Sequence, residues 1–130
     1  MKPFYLVGAL ALGVVAGVVI GQGTGIQRTF IQQQDLSTPG REVRVARVEI
    51  ARGLSAGRHT HPGEEISYVI DGEMEVLIEG KPPLKVKAGD AFVIPLGAKH
   101  DARNTGAGPA KLVGVYLVEK GKPFATPGPQ

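Results

Sequence analysis

The chain has 130 residues, enough for one domain with short extensions and a single hydrophobic core. Its formal net charge is +3, with 15 Lys and Arg scattered among 12 Asp and Glu, which excludes the focused basic face that nucleic-acid binding needs. There is no cysteine, so disulfides, thiolate metal sites and cysteine nucleophiles are excluded too.

Lys2 precedes an unbroken apolar run over residues 4–20. A positive residue ahead of such a run predicts a secretory signal, and the run also reaches the lower limit for crossing a bilayer. Residues 1–25 are therefore expected to form an apolar helix, either a cleaved signal peptide or an uncleaved membrane anchor. Ala9, Gly13, Gly17, Gly21 and Gly25 recur every four residues, which on a helix makes a stripe of small side chains suited to close packing in a membrane. With Lys2 on the cytoplasmic side, the remaining chain lies outside, periplasmic or otherwise extracytoplasmic. Membrane contact is expected only through residues 4–20, in an uncleaved chain. Residues 26–40 are polar and Gln-rich and read as a linker, or as an N-terminal arm adding an edge strand through residues 28–32.

From residue 41 the pattern is that of short strands. Residues 41–52 carry Val43, Val45, Val48 and Ile50, with an alternation that slips between Val45 and Val48; a bulge would repair it, as would burial on both faces. Residues 58–61 and 65–70 follow, with Asp71-Gly72 as a hairpin turn. Met74, Val76 and Ile78 alternate with glutamates, and Leu84 and Val86 alternate with Lys85 and Lys87, so those lysines are expected across from the glutamates. Ala91–Ile94, a segment at His100 and residues 110–118 complete the series. Residues 121–130 form a Pro- and Gly-rich tail. With 19 Gly and 10 Pro among β-branched residues, this spacing of turns predicts an all-β antiparallel sandwich or small barrel.

The chain has 3 histidines. His59 and His61 are two apart, so an extended strand projects both from one face, and His100 arrives in a later strand-and-turn segment. Glu64 and Glu65 follow the Pro62-Gly63 turn, both within reach. One such histidine alone would read as an ordinary strand residue. Three at these spacings beside a carboxylate predict a metal site.

Two motifs carry a family resemblance. Gly53, His59, His61, Glu65 and Gly72 fit G-x5-H-x-H-x3-E-x6-G, and Gly89, Pro95, Gly97, His100 and Asn104 fit G-x5-P-x-G-x2-H-x3-N. In both, the chain resembles the small single-domain (type 2, RmlC-like) cupins, over about residues 41–120. The resemblance implies an antiparallel jelly-roll β-barrel, in agreement with the strand pattern. It also implies one divalent metal held by His59, His61, Glu65 and His100, and so selects Glu65 over Glu64. Three imidazoles and a carboxylate suit Mn, Fe, Co, Ni, Cu or Zn alike.

Tyr68, Met74 and Phe92 are candidate cavity-lining side chains, with core packing as the alternative reading, and Asn104 is expected to brace the turn after His100. The fold hosts many reactions. An oxygenase-like, metal-dependent enzyme on a small molecule, a small-molecule binding or sensing module of the cell envelope, and a protein whose metal is structural all follow from these residues. A homodimer is expected, because a small barrel leaves sheet edges and apolar outer surface.

Overall fold

Period-two burial organises the strands and decides which side chains meet inside. The protein is represented by a computed structural model that describes residues 25–129 and the backbone of residues 18–20. The strands are β1 (Val18–Ile20), β2 (Ile26–Asp35), β3 (Arg41–Ile50), β4 (His59–Thr60), β5 (Gly63–Asp71) and β6 (Glu73–Ile78), then β7 (Leu84–Lys87), β8 (Ala91–Ile94), β9 (His100–Asn104), β10 (Ala110–Glu119) and β11 (Thr126–Pro127). They form a six-stranded sheet in the order β1-β2-β3-β10-β5-β8 and a five-stranded sheet in the order β11-β4-β9-β6-β7. The ladders are antiparallel, as a jelly roll requires. No helix occurs among the described residues.

Most of the expected N-terminal signal or anchor helix, residues 1–17 and 21–24, lies outside the described residues. The part that is described departs from the expectation. Val18–Ile20 is a strand, with Val19 opposite Arg28 on β2, the conformation that three consecutive β-branched residues favour. Most of the stretch expected as a linker or arm is likewise strand β2, paired with β3 from Ile26↔Ile50 to Asp35↔Glu42. The ladder shifts register between Phe30 and Gln32, so the bulge expected on β3 belongs to its partner. On β3, Glu42, Ala46, Val48 and Ile50 are buried, while Val43 and Val45 lie half-buried on the other face. The apparent slip in alternation is a second, partly covered apolar face.

The core lies between the sheets. Val48, Ile50, Val69 and Leu112 come from the larger one, Met74 and Val76 from the smaller. On β6 and β7, Glu73 stands opposite Lys87 and Glu75 opposite Lys85, the expected cross-strand charge pattern. The Asp71-Gly72 turn needs its glycine twice over. Gly72 has a φ of 83°, and a Cβ there would lie 2.7 Å from the Pro109 carbonyl oxygen.

Asn104, buried at the end of β9, clamps the loop that follows. Its Nδ2 donates to the carbonyls of Ile50 (2.9 Å) and Gly108 (2.8 Å), and its Oδ1 accepts from the Gly106 N–H at 2.9 Å. Asn104→Ala leaves these backbone groups without their partner, and the expected loss is about 1–3 kcal/mol of unfolding free energy. Urea denaturation of the two proteins measures it; an unchanged midpoint would show that water replaces the side chain at no cost.

Candidate metal centre

The centre is assembled from both sheets. His59 on β4 stands directly opposite His100 on β9, and Pro127 on β11 flanks His59 on its other side. His61 follows β4 by one residue. Glu65 lies on β5, between Tyr116 of β10 and Ile94 of β8. Alternation on β5 turns Glu65, Ser67 and Val69 inward and Glu64, Ile66 and Tyr68 away. All three histidines and Glu65 are buried.

Each imidazole has its Nδ1 against a backbone carbonyl: His59 against Gly57 at 2.6 Å, His100 against Ala98 at 2.8 Å and His61 against Phe124 at 2.8 Å. A carbonyl oxygen only accepts, so each Nδ1 carries the hydrogen and donates it. In the neutral rings, that leaves the Nε2 lone pairs free. The three imidazoles offer ligand atoms that all lie within 4.8 Å of one another. His59 Nε2 and His61 Nε2 are 3.2 Å apart, and Glu65 Oε1 is 3.2 Å from His61 Nε2 and 3.5 Å from His100 Nε2. His100 Nε2 is buried with no hydrogen-bond partner among the described residues. Lone pairs and a carboxylate converging on one point repel unless a cation lies among them, so the donor set fits a single divalent ion. The carbonyls holding Nδ1 orient the rings as partners of metal-bound histidines do.

The electrostatics agree. Burial, with the neighbouring His100 adding to it, pushes the His59 pKa down to about 3, so this imidazole stays neutral and open to a metal. Burial alone would raise the Glu65 pKa. Hydrogen bonds and charge from His100 and His61, which act when those rings carry a hydrogen on Nε2, outweigh it and hold the carboxyl below its ordinary value, and a cation among bare lone pairs would act in the same direction. Ser67, one inward position further along β5, donates its Oγ hydrogen to Glu65 Oε2 at 2.8 Å and leaves Oε1 to the histidines. Glu64 instead pairs with Arg41 Nη2 at 2.8 Å near the surface.

A cavity beside the centre is lined by His59, Glu65, His100, Arg28, Tyr116 and Phe92 together with aliphatic side chains. It is narrow, about 20 Å³ for the centre of a water-sized sphere, room for one or two waters. Of the expected lining residues, Phe92 is there. Met74 is buried in the core and does not line this cavity. Tyr68 is 52% exposed; three residues beyond Glu65, it stands on the opposite face of β5, because side-chain direction alternates every residue.

Several residues went unrecognised in the motif reading. Tyr116 is buried, edge-on to His61 with ring centroids 4.9 Å apart. Burial and the Glu65 charge push its pKa up, against the pull of Arg28, so the phenol keeps its proton. Its ring folds over Gly114, where a Cβ would come 2.6 Å from the hydroxyl. Phe124 packs on His61, Tyr116 and Phe30 at centroid distances of 4.8, 4.7 and 5.0 Å, and β11 next to it pairs with β4, so the tail covers the histidines. Inward alternation marks Tyr116, with Leu112, Gly114 and Val118 on β10. Phe124 has no such signal.

A family model for the Cupin domain matches residues 46–116. The chain belongs to the cupin family. Among curated proteins, this cupin is 41% identical over 56 residues to the dimethylsulfoniopropionate lyase DddQ of Ruegeria pomeroyi, covering 43% of this chain and 28% of that protein. It is 35% identical over 74 residues to the oxalate-binding protein of Thermotoga maritima, covering 56% of this chain and 60% of that one. Among solved structures, KdgF from a Halomonas species superposes with a TM-score of 0.61 at 25% identity, over 81% of this cupin and 88% of that chain. The chain thus spans less than two thirds of the length of these curated relatives.

The depressed His59 pKa sets a pH dependence for metal-free protein. An unfolded histidine takes up its proton near 6.5 and folded His59 only near 3, so across that window the unfolded chain binds more protons and stability falls as the pH falls. Glu65, also depressed, continues the decline in more acid solution. Urea midpoints of metal-free protein should drop steadily from about pH 6.5 downward, and His59→Asn should flatten the upper part of that slope. A flat profile in the parent would show that His59 titrates as in the unfolded chain.

Proposed function

We propose that this cupin is an exported, metal-dependent enzyme, oxygenase-like, acting on a small organic molecule at one divalent ion held by His59, His61, Glu65 and His100. The observation that carries it is the convergence of three Nε2 lone pairs and one carboxylate oxygen, with each Nδ1 hydrogen tied to a backbone carbonyl. When bound, the ion supplies a Lewis acid or redox centre with positions left for exogenous ligands. The chain's own residues do the rest. Glu65 offsets part of the charge, the protonated Tyr116 hydroxyl is a hydrogen-bond donor beside the site, and aliphatic side chains form the apolar part of the wall. Relatives named as a lyase and as an acireductone dioxygenase support small-molecule chemistry. A second reading, a non-catalytic binding or sensing module of the envelope, is favoured by the narrow cavity and by the relative named as an oxalate-binding protein.

Metal analysis of protein from its native source, followed by an oxygen-uptake screen of phenolics and keto acids, separates the readings. One metal per chain and turnover that disappears in His59→Ala and His100→Ala are expected. Ligand-dependent thermal shifts without turnover would favour the binding module. Less than about a tenth of a metal per chain after loading would overturn the centre, given the tight binding such ligand sets allow.

Export rests on Lys2 and the apolar run of residues 4–20. An alkaline phosphatase fusion after residue 40 should be active in a bacterial host, and an inactive but stable fusion would refute export. Homodimerisation through the outer face of β5 and β8 is supported by the exposed Ile66, Tyr68, Ile70 and Val93, with Ile66 and Val93 paired across the strands. Light scattering should give twice the monomer mass at micromolar concentration, and a monomer there would overturn it.

A further inference from the structure

Arg28 lies outside residues 46–116, the part matched by the family model, yet it reaches the centre. It sits on β2, is 7% exposed, and lines the cavity together with His59, Glu65, His100 and Tyr116. A buried guanidinium is costly unless its donors and its charge are matched. Among the described residues, none of the ion pairs includes Arg28, and its Nε has no hydrogen-bond partner. Three contacts partly compensate. Nη2 donates to His59 Nε2 at 3.3 Å, the guanidinium hydrogen-bonds to the Tyr116 hydroxyl, and it lies 5.5 Å from the Phe124 ring centroid. The two carboxylates on the cavity wall are directed elsewhere. Glu65 is shared between His61, His100 and Ser67, and Asp101 accepts the N–H of Ala102.

Metal binding sharpens the mismatch. The Nε2 lone pair of His59 cannot serve Arg28 and a metal ion at once, so an ion on the histidines removes one of the acceptors that Arg28 uses and places a second cation nearby. Positive charge then exceeds what Glu65 and Asp101 offset. An anion with two oxygens would resolve both problems, one oxygen on the ion and the other accepting from Nε and Nη2, the planar fork that an arginine offers to a carboxylate.

We propose that Arg28 binds the carboxylate of a small organic acid, held between its guanidinium and the metal ion. The inference rests on the metal-centre reading and adds the ligand class to it. The narrow cavity restricts the acid to a few heavy atoms, and the aliphatic side chains of Ile26, Val48, Ile50 and Leu112 form the apolar part of its wall.

The test uses the full chain loaded with cobalt(II), whose visible spectrum reports its ligands, with formate and acetate as probes and acetamide as the uncharged match. Calorimetric and spectroscopic titration should show that the carboxylates bind and acetamide does not. Arg28→Met should weaken carboxylate binding at least about tenfold, the loss expected for a charge-assisted hydrogen bond, while cobalt content stays that of the parent. Arg28→Lys, which keeps the charge without the fork, should fall between and carries the comparison if Arg28→Met does not fold. Arg103→Met, at an exposed arginine, should bind as the parent does. Equal carboxylate affinity in parent, Arg28→Met and Arg28→Lys, or a cobalt-loaded parent that binds no carboxylate or binds acetamide equally well, would overturn the assignment and leave the metal centre standing. A parent that takes up no cobalt would overturn the metal centre itself.

Discussion

The hydrogen bonds from His59, His61 and His100 to the carbonyls of Gly57, Phe124 and Ala98 constrain the rest of the centre. Each one fixes a hydrogen on Nδ1 and thereby commits Nε2 to the interior. For His59 and His100 the accepting carbonyl lies two residues earlier in the chain, so the same local contact orients both sides of the His59↔His100 pair. For His61 it comes from the C-terminal tail, and the site is complete only when that tail has docked. With the hydrogens placed, burial keeps His59 neutral, while Glu65 is held ionised by its neighbours against the effect of burial. Three imidazole Nε2 atoms and one carboxylate oxygen facing one another are suited to a cation.

The two sheets supply what such an arrangement needs from its surroundings. Glu65 is held from three directions. Strand β5 fixes its backbone, Ser67 takes Oε2, and the β10 and β8 neighbours Tyr116 and Ile94 confine the side chain. The tail closes the histidine side with Phe124, whose ring also lies under the Arg28 guanidinium. Strand β2 then brings a permanent positive charge to a site already prepared for a cation. A centre so built favours anionic ligands, because each buried positive group lowers the cost of bringing negative charge out of water.

Much of this was legible in the sequence. Strands β5 to β10 follow from alternation and turn residues. The pairing of Glu73 and Glu75 with Lys87 and Lys85 follows from charge pattern, and the bracing role of Asn104 from its residue type after a turn. Where the reading failed, it failed at phase or at distance. Tyr68 reads as lining the cavity or packing in the core, although it is an odd number of positions from Glu65, which sends it outward. For the slip between Val45 and Val48, of the bulge and the two-sided burial that would explain it, β3 shows the second and the bulge lies on β2. Residues 26–40 read as a linker or as an arm adding a strand, and the choice stays open because their polar Gln side chains hide the inward positions Ile26 and Arg28.

The sequence by itself determined the all-β class and the two motifs, because periodicity and spacing act over a few residues and survive without knowledge of partners, and the resemblance those motifs carry chose Glu65 over Glu64 as a donor. The tertiary structure decided which donors face each other and what surrounds them. Arg28, Tyr116 and Phe124 reach the centre from β2, β10 and the tail, segments far from the histidines in the chain and brought near only by strand pairing and tail docking. Those contacts arise from antiparallel pairing between distant segments, and no local pattern encodes them.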